Sequence, residues 1–394
     1  MLATTTSARS VDTTRGGHST LLNNEWMTRP DDQRFLDLEA LYVHVGRRAE
    51  GCRQRVVPLR SLDVTDGGHA PLIEMEGAAF DTTHWAFGQM CRQVGAPADY
   101  LRGLPVPLAT ENLRNGIESR PKDVQLYADD DTIRAVTGPK YGRIHDYKVV
   151  GAVQNLVANS DVAWKVPGVM NWTTGQYNPD VPVTKDTTTL FASDRDVAMF
   201  LCDDQTPIEV GRLANGDPDL MFRGFFLKNS EVGEGSLYIA TMYLRGVCAN
   251  RCLWGVENFR EIRLRHTRNA PRRMINEVQP VLDNYRKAGD PMRIVAGVKS
   301  AKSQRVIATD PWRDREQARE EQLVFLTKKV GFPEETAKAI LAHEAPGTDR
   351  EQLTNVWDFT NQITSYAQGA KHHDRRLVIE AKASQLLERA TANV

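Results

Sequence analysis

Along this chain the spacing of apolar residues changes near residue 270, from a mixture with strand-like runs to helical spacing throughout, the pattern of an α+β fold. Upstream, Val162 to Val169, Thr188 to Ser193, Val197 to Asp203, Ile208 to Arg212 and Leu220 to Asn229 alternate or run apolar over strand lengths. Asn215-Gly216 and Asp217-Pro218 punctuate them as turns. Such runs are expected to pair as the strands of an antiparallel sheet. Downstream, Arg272 to Lys287, Asp314 to Val330, Glu334 to Ala345, Arg350 to Gly369 and His373 to Ala390 carry apolar residues at helical spacing. The expected fold is α+β: a central antiparallel sheet with packed helices, then a helical C-terminal region. The expected divisions are a flexible polar segment over 1–30, an α+β core over 31–270 and helices over 271–394.

Within the core, Leu36, Leu38, Leu41 and Val43 approach strand alternation, and Val56, Val57 and Leu59 suggest another strand. Thr82 or Thr83 can cap a helix carrying Trp85, Phe87, Met90 and Cys91, which ends at Gly95-Ala96-Pro97. A short helix holds Tyr100 and Leu101, and another runs from Leu108 to Ile117. Asp123 to Tyr127 and Thr132 to Val136 read as a hairpin, and Tyr147 to Ala158 as a helix. With 394 residues the chain can hold two or three cores, and a net charge of −1 says nothing of partners by itself. No apolar run approaches the roughly 18 residues that a membrane span needs. Met1 to Gly17 lacks the apolar centre of a secretory signal, and the five cysteines suit a reducing compartment. A cytoplasmic location without membrane partners is expected.

The segment Gly224 to Tyr238 joins an apolar strand, Phe225 to Leu227, to a polar turn holding Asn229, Ser230 and Glu231. Gly233 and Gly235 free the backbone, and Ser236 can cap a helix whose apolar stripe is Leu237, Ile239, Ala240 and Tyr243 or Leu244. Asn229, Ser230, Gly233, Gly235 and Ser236 then form either an anion-binding turn, with backbone N–H groups facing the ligand, or an ordinary packed corner.

Between Arg251 and Arg273 stand seven arginines, opposed only by Glu257 and Glu261. Arginine's planar fork matches phosphate and stacks on bases. Arg251, Arg260, Arg263, Arg265 and Arg268, with Lys228 and Arg245 at the corner, are therefore candidates for a phosphate-tracking groove. Phe259, Trp254 and Tyr243 are its stacking partners. The competing reading is a solvated basic segment paired with Asp314, Glu316 and Glu320. In Lys140 to Tyr147, Tyr141, Arg143 and His145 could contact a nucleotide, while Asp146 suits a helix cap.

Enzymatic signatures are sparse. Cys248 and Cys252 have no second pair to complete a zinc site and read as core cysteines. Asp194, Asp196, Asp203 and Asp204 with Glu231 could hold a divalent cation at strand ends. The chain has no phosphate-cradling lysine loop, dinucleotide fingerprint or nucleophile elbow. No cofactor and no catalytic residue is expected.

Four blocks in order, Cys91 to Pro105, Arg134 to Tyr147, Gly224 to Gly255 and Leu353 to Tyr366, resemble the "phage/plasmid-like protein" family. That family is a domain of unknown function carried mainly by phages, prophages and plasmids. The resemblance covers about residues 80–370. It implies a role in replication, recombination or defence evasion of a mobile element and carries over no catalytic residue. At the level of fold alone, a Gly-rich turn beside a basic helix is similar to single-strand annealing proteins of the Rad52 type, where a sheet and helix line a groove for single-stranded DNA. The expected function is non-catalytic binding of nucleic acid, single-stranded DNA in particular, in recombination or replication. The alternatives are a metal-dependent enzyme on nucleotides or nucleic acid, and a module that grips a host protein. The C-terminal apolar faces suit packing on the sheet or between copies in a homo-oligomer.

Overall fold

The computed structural model describes residues 29–166, 182–185, 188–212, 216, 218–245, 250–252, 261–287, 291–307, 315–345, 353–370 and 373–391. The first 28 residues and Arg260 lie outside the described residues, and so do the side chains of Arg245 and Arg251.

A two-residue strand β1 (Arg34–Phe35) precedes helix α1 (Leu38–Gly51), whose N-cap Asp37 accepts a hydrogen bond from Ala40 N–H at 2.7 Å. This corrects the expected strand through Leu36 to Val43. Leu38, Leu41, Tyr42 and Val45 share a helical face, and Leu41 and Val45 are buried on it. Four strands follow: β2 (Arg53–Pro58), β3 (Asp63–Asp66), β4 (Pro71–Met75) and β5 (Ala78–Thr82). Helix α2 (His84–Val94) is capped by Thr83, which accepts from Ala86 N–H at 3.1 Å, and stops at left-handed Gly95. Helices α3 (Ala98–Arg102) and α4 (Val106–Glu118) come next, then the expected hairpin β6 (Asp123–Ala128) and β7 (Thr132–Thr137), and α5 (Asp146–Ala158).

These strands form a six-stranded sheet in the order β2-β6-β7-β5-β4-β3, antiparallel except between β5 and β7. Phe87, Met90, Leu113 and Ile117 from α2 and α4 cover it with Ile73, Leu126 and Ile133 beneath them. The range 31–270 thus holds two sheets, each with its own core.

The second sheet is the antiparallel one expected from the sequence. Strands β8 (Trp164–Lys165), β9 (Leu190–Ala192), β10 (Val197–Arg212), β11 (Pro218–Asn229), β12 (Leu237–Arg245), β13 (Asn250–Cys252) and β14 (Glu261–Leu264) build it with β1. Its main order is β1-β9-β10-β11-β12, with β8 beside β10 and both β13 and β14 along the outer edge of β12. Strand β12 replaces the helix expected after Ser236. Leu237 and Ile239 enter the core beneath α1 and α5, whereas Tyr238 and Ala240 enter a second core with Phe200, Phe222 and Phe226. A strand buried on both faces is apolar at every position, so its sequence imitates a helical stripe.

The C-terminal region is helical as expected: α6 (Ala270–Arg273), a π-helical turn at Met274–Val278, α7 (Gln279–Asn284), α8 (Pro291–Ser303), α9 (Arg315–Val324), α10 (Glu334–Ala342), α11 (Val356–Gln368) and α12 (His373–Thr391). Ile294, Val298, Trp357 and Leu387 pack on Val210, Met221 and Tyr243 at one end of the large sheet.

The loop between β7 and α5 lies against the segment after β14. A Cβ placed on Gly142 would sit 1.9 Å from the Thr267 carbonyl oxygen and 2.8 Å from its carbon. Gly142→Ala is expected to cost at least about 1–3 kcal/mol, because backbone must move to admit the methyl group. A chemical-denaturation midpoint equal to that of the parent protein would show that the two segments do not touch in this way.

Candidate nucleic-acid interface

The turn between β11 and β12 is held on two sides. Tyr141 donates its hydroxyl to the Ser230 carbonyl at 3.2 Å. From α2, Trp85 Nε1 and Gln89 Nε2 donate to the Val232 carbonyl at 3.2 and 2.7 Å. Asn229 is fully buried and donates to the Ile144 carbonyl (2.9 Å) and Asp146 Oδ1 (2.7 Å). Ser230 donates to the Arg195 carbonyl at 2.7 Å and accepts from Glu234 N–H at 2.9 Å. Gly233 takes φ +89°, a conformation glycine adopts freely, and its N–H donates to the Ser230 carbonyl at 3.2 Å. The Gly233 N–H, one of those expected to face an anion, and the neighbouring Glu234 N–H are thus engaged inside the turn.

The negative charge at this corner is the turn's own Glu231. Arg134 from β7 donates to its Oε1 at 2.7 Å, Arg48 Nε from α1 lies 3.6 Å away and His145 Nδ1 3.6 Å from Oε2. Asp146 N–H donates to Oε2 at 3.2 Å, so Glu231 rather than the Asp146 side chain caps α5. This corrects the cap expected of Asp146: its carboxyl is buried against Arg48 Nη2 (2.7 Å) and Asn229. Burial raises the Glu231 carboxyl, but Arg134, His145 and Arg48 overcome it and hold the group well below the usual carboxylate range. Burial and the Glu231 charge push Asp146 well above that range.

Arg143, expected as a ligand contact, is 5% exposed. It donates to the Glu231 carbonyl, to Gln54 Oε1 at 3.1 Å and to Gln125 Oε1 at 3.2 Å. Its guanidinium lies 4.2 Å from the Tyr127 ring and 5.2 Å from that of Tyr141. Arg143 thereby ties the six-stranded sheet to the turn. His145 is partly exposed, between the rings of Tyr127 and Tyr147 at 5.8 and 5.7 Å. Lys228 reaches the buried Asp196 at 3.4 Å, which Arg29 also pairs at 2.7 Å.

The two basic segments singled out in the sequence meet at His266. Gly142 N–H donates to the His266 carbonyl (3.1 Å), Ile144 N–H to its Nδ1 (3.3 Å), and the Tyr141 ring stacks parallel on the imidazole at 5.1 Å. Around this stack Arg265, Arg268 and Lys140 are exposed, and Arg263 lies 5.6 Å over the Tyr238 ring across the β12–β14 pair. Among the described residues no carboxylate lies within pairing distance of Arg265 or Arg268. Strand β14 lies at the sheet edge, and Arg263 on it and Arg265 and Arg268 just after it are exposed.

Of the carboxylates considered for a metal, the side chain of Asp204 lies outside the described residues. Asp196 and Glu231 are engaged by cations and Asp203 accepts from Thr206, and among the described residues no group of three or more metal-ligating side chains forms a site.

Glu231→Gln leaves Arg134 buried without its counterion and is expected to cost about 3–5 kcal/mol, read from the denaturation midpoint. A change below about 1 kcal/mol would contradict the network. Burial, aided by Arg143 and opposed by Gly142 and Glu231, lowers His266 from 6.5 to about 4. A base lowered on folding contributes stability above its unfolded pKa and loses it as pH falls through the folded value. The parent should therefore lose stability relative to His266→Asn between about pH 6.5 and about 4, by on the order of 3 kcal/mol. Parallel pH curves for the two proteins would place the imidazole in solvent.

No curated protein and no solved structure matches the chain. A family model matches residues 135–392, from the middle of β7 through α12, and so takes in the Glu231 turn, the His266 stack and the arginine row. On that match, the chain belongs to the family described as Domain of unknown function (DUF932).

Proposed function

We propose that this protein binds nucleic acid without catalysis, prefers single strands, and serves recombination or replication of a phage or plasmid. The observation that carries the reading is the meeting of two basic segments, distant in sequence, at the Tyr141–His266 stack, with Lys140 exposed on one segment and Arg263, Arg265 and Arg268 exposed on the other. Solvated guanidinium groups such as those of Arg265 and Arg268 can exchange counterions for phosphates, which supplies the affinity. Single strands are favoured because planar guanidinium and aromatic groups reach base faces only where bases are unpaired. The buried chemistry behind the edge supports a fixed platform, since Arg143 and Asp146 spend their polar groups inside the protein. The mobile-element setting rests on the resemblance of the four sequence blocks.

Replacing Arg265 and Arg268 together by alanine tests the reading. Single-strand affinity should fall for all sequences alike, and the log–log salt slope should flatten by about 1.4, near 0.7 for each phosphate no longer neutralised. An unchanged slope, with the circular dichroism of the folded protein retained, would remove these residues from the interface.

A further inference from the structure

The side of the turn facing α2 carries a second cation–aromatic cluster that the sequence did not single out. Trp85 is partly exposed, is fixed by its Nε1–H bond to the Val232 carbonyl, and has the buried Arg195 guanidinium 5.6 Å from its ring. Arg195 is itself held by His84 Nδ1 at 3.1 Å, with Glu234 at 3.9 Å. Arg92, farther along α2, is exposed and lies 5.3 Å over the same indole. Among the described residues no carboxylate pairs with Arg92.

Gly233 connects this cluster to the Tyr141–His266 stack. A Cβ on Gly233 would lie 3.4 Å from Gln89 Nε2 and 3.4 Å from the Tyr141 ring, so the two clusters flank one residue of backbone. We propose that a single strand lying along the arginine row crosses the Gly233 turn and continues onto α2, where Trp85 and Arg92 form a further subsite for a base and its phosphate. This extension rests on the nucleic-acid reading of the arginine row. A solvated cation–π contact is weaker than stacking of a base on an indole. An incoming base can therefore take the place of Arg92 on the ring while the freed guanidinium turns to the adjoining phosphate. Arg195, buried and bonded, stays as the fixed support of the indole.

The test uses the full chain and oligothymidylates from about 4 to about 16 nucleotides long, the range of site sizes common for single-strand binders. Arg92→Ala should leave affinity for the shortest oligomer unchanged. It should weaken binding of the longest roughly two- to tenfold and flatten the salt slope for that oligomer alone. Long oligomers should quench tryptophan fluorescence in the parent protein and quench it less in Trp85→Phe. If both variants match the parent at every length while the Arg265/Arg268 double variant loses affinity, the extension is overturned and the arginine row stands. If the parent protein binds none of the oligomers at low salt, the nucleic-acid reading itself fails, and the extension with it.

Discussion

The ion pair between Glu231 and Arg134 is the constraint on which the rest of the arrangement depends. It joins a turn of the large sheet to the centre of the six-stranded sheet, with both side chains almost wholly out of water. A pair like this adds little net stability, because removing two charges from water offsets most of their attraction. Its effect is on geometry. Once Glu231 is buried as a charge, Arg134, Arg48 and His145 must converge on it, and the Asp146 N–H that it accepts fixes the start of α5. The two neighbouring acids then divide their roles: Glu231 stays ionised, while burial beside it favours the proton on Asp146.

From that anchor the surface follows. The loop that starts α5 also carries Tyr141 and Gly142, which grip His266, and His266 sets where Arg265 and Arg268 emerge. On the other flank, Trp85 and Gln89 hold Val232. Buried and exposed cations thus do different things in this fold. Arg134, Arg143 and Arg195 are bonded within the protein and set positions, whereas Arg92, Arg265 and Arg268 stand in solvent where counterions can be exchanged.

Much of the fold was legible in the sequence because local signals agreed with burial. The helix that Thr83 caps and the helices after residue 270 have one buried face and a clear period, and the β6–β7 hairpin, although buried on both faces, is bracketed by the polar turn Asp129 to Asp131. The failures came where that condition broke. β12 is buried on both faces, so Leu237 to Leu244 satisfied a helical pattern equally well. Leu38 and Leu41 of α1 were read with Leu36 and Val43, which are 45% and 37% exposed and belong to no buried face. Of the site, the arginine row and the Tyr141 loop could be read as basic, but not their union, which depends on a hydrogen bond between residues 122 apart in sequence. Arg143 looked like a ligand contact because loop composition does not report burial. A sharper signal existed for Arg134: a charged residue between Ile133 and Ala135 in an apolar strand requires a buried partner, and Glu231 in the turn supplies it.

We propose the edge around His266 as a surface for single-stranded nucleic acid. Its most direct test is equilibrium binding of the unaltered protein to labelled single- and double-stranded oligonucleotides of equal length across a salt series. Binding should weaken steeply with salt and favour the single strand. Absence of binding to either form at low salt would contradict the proposal.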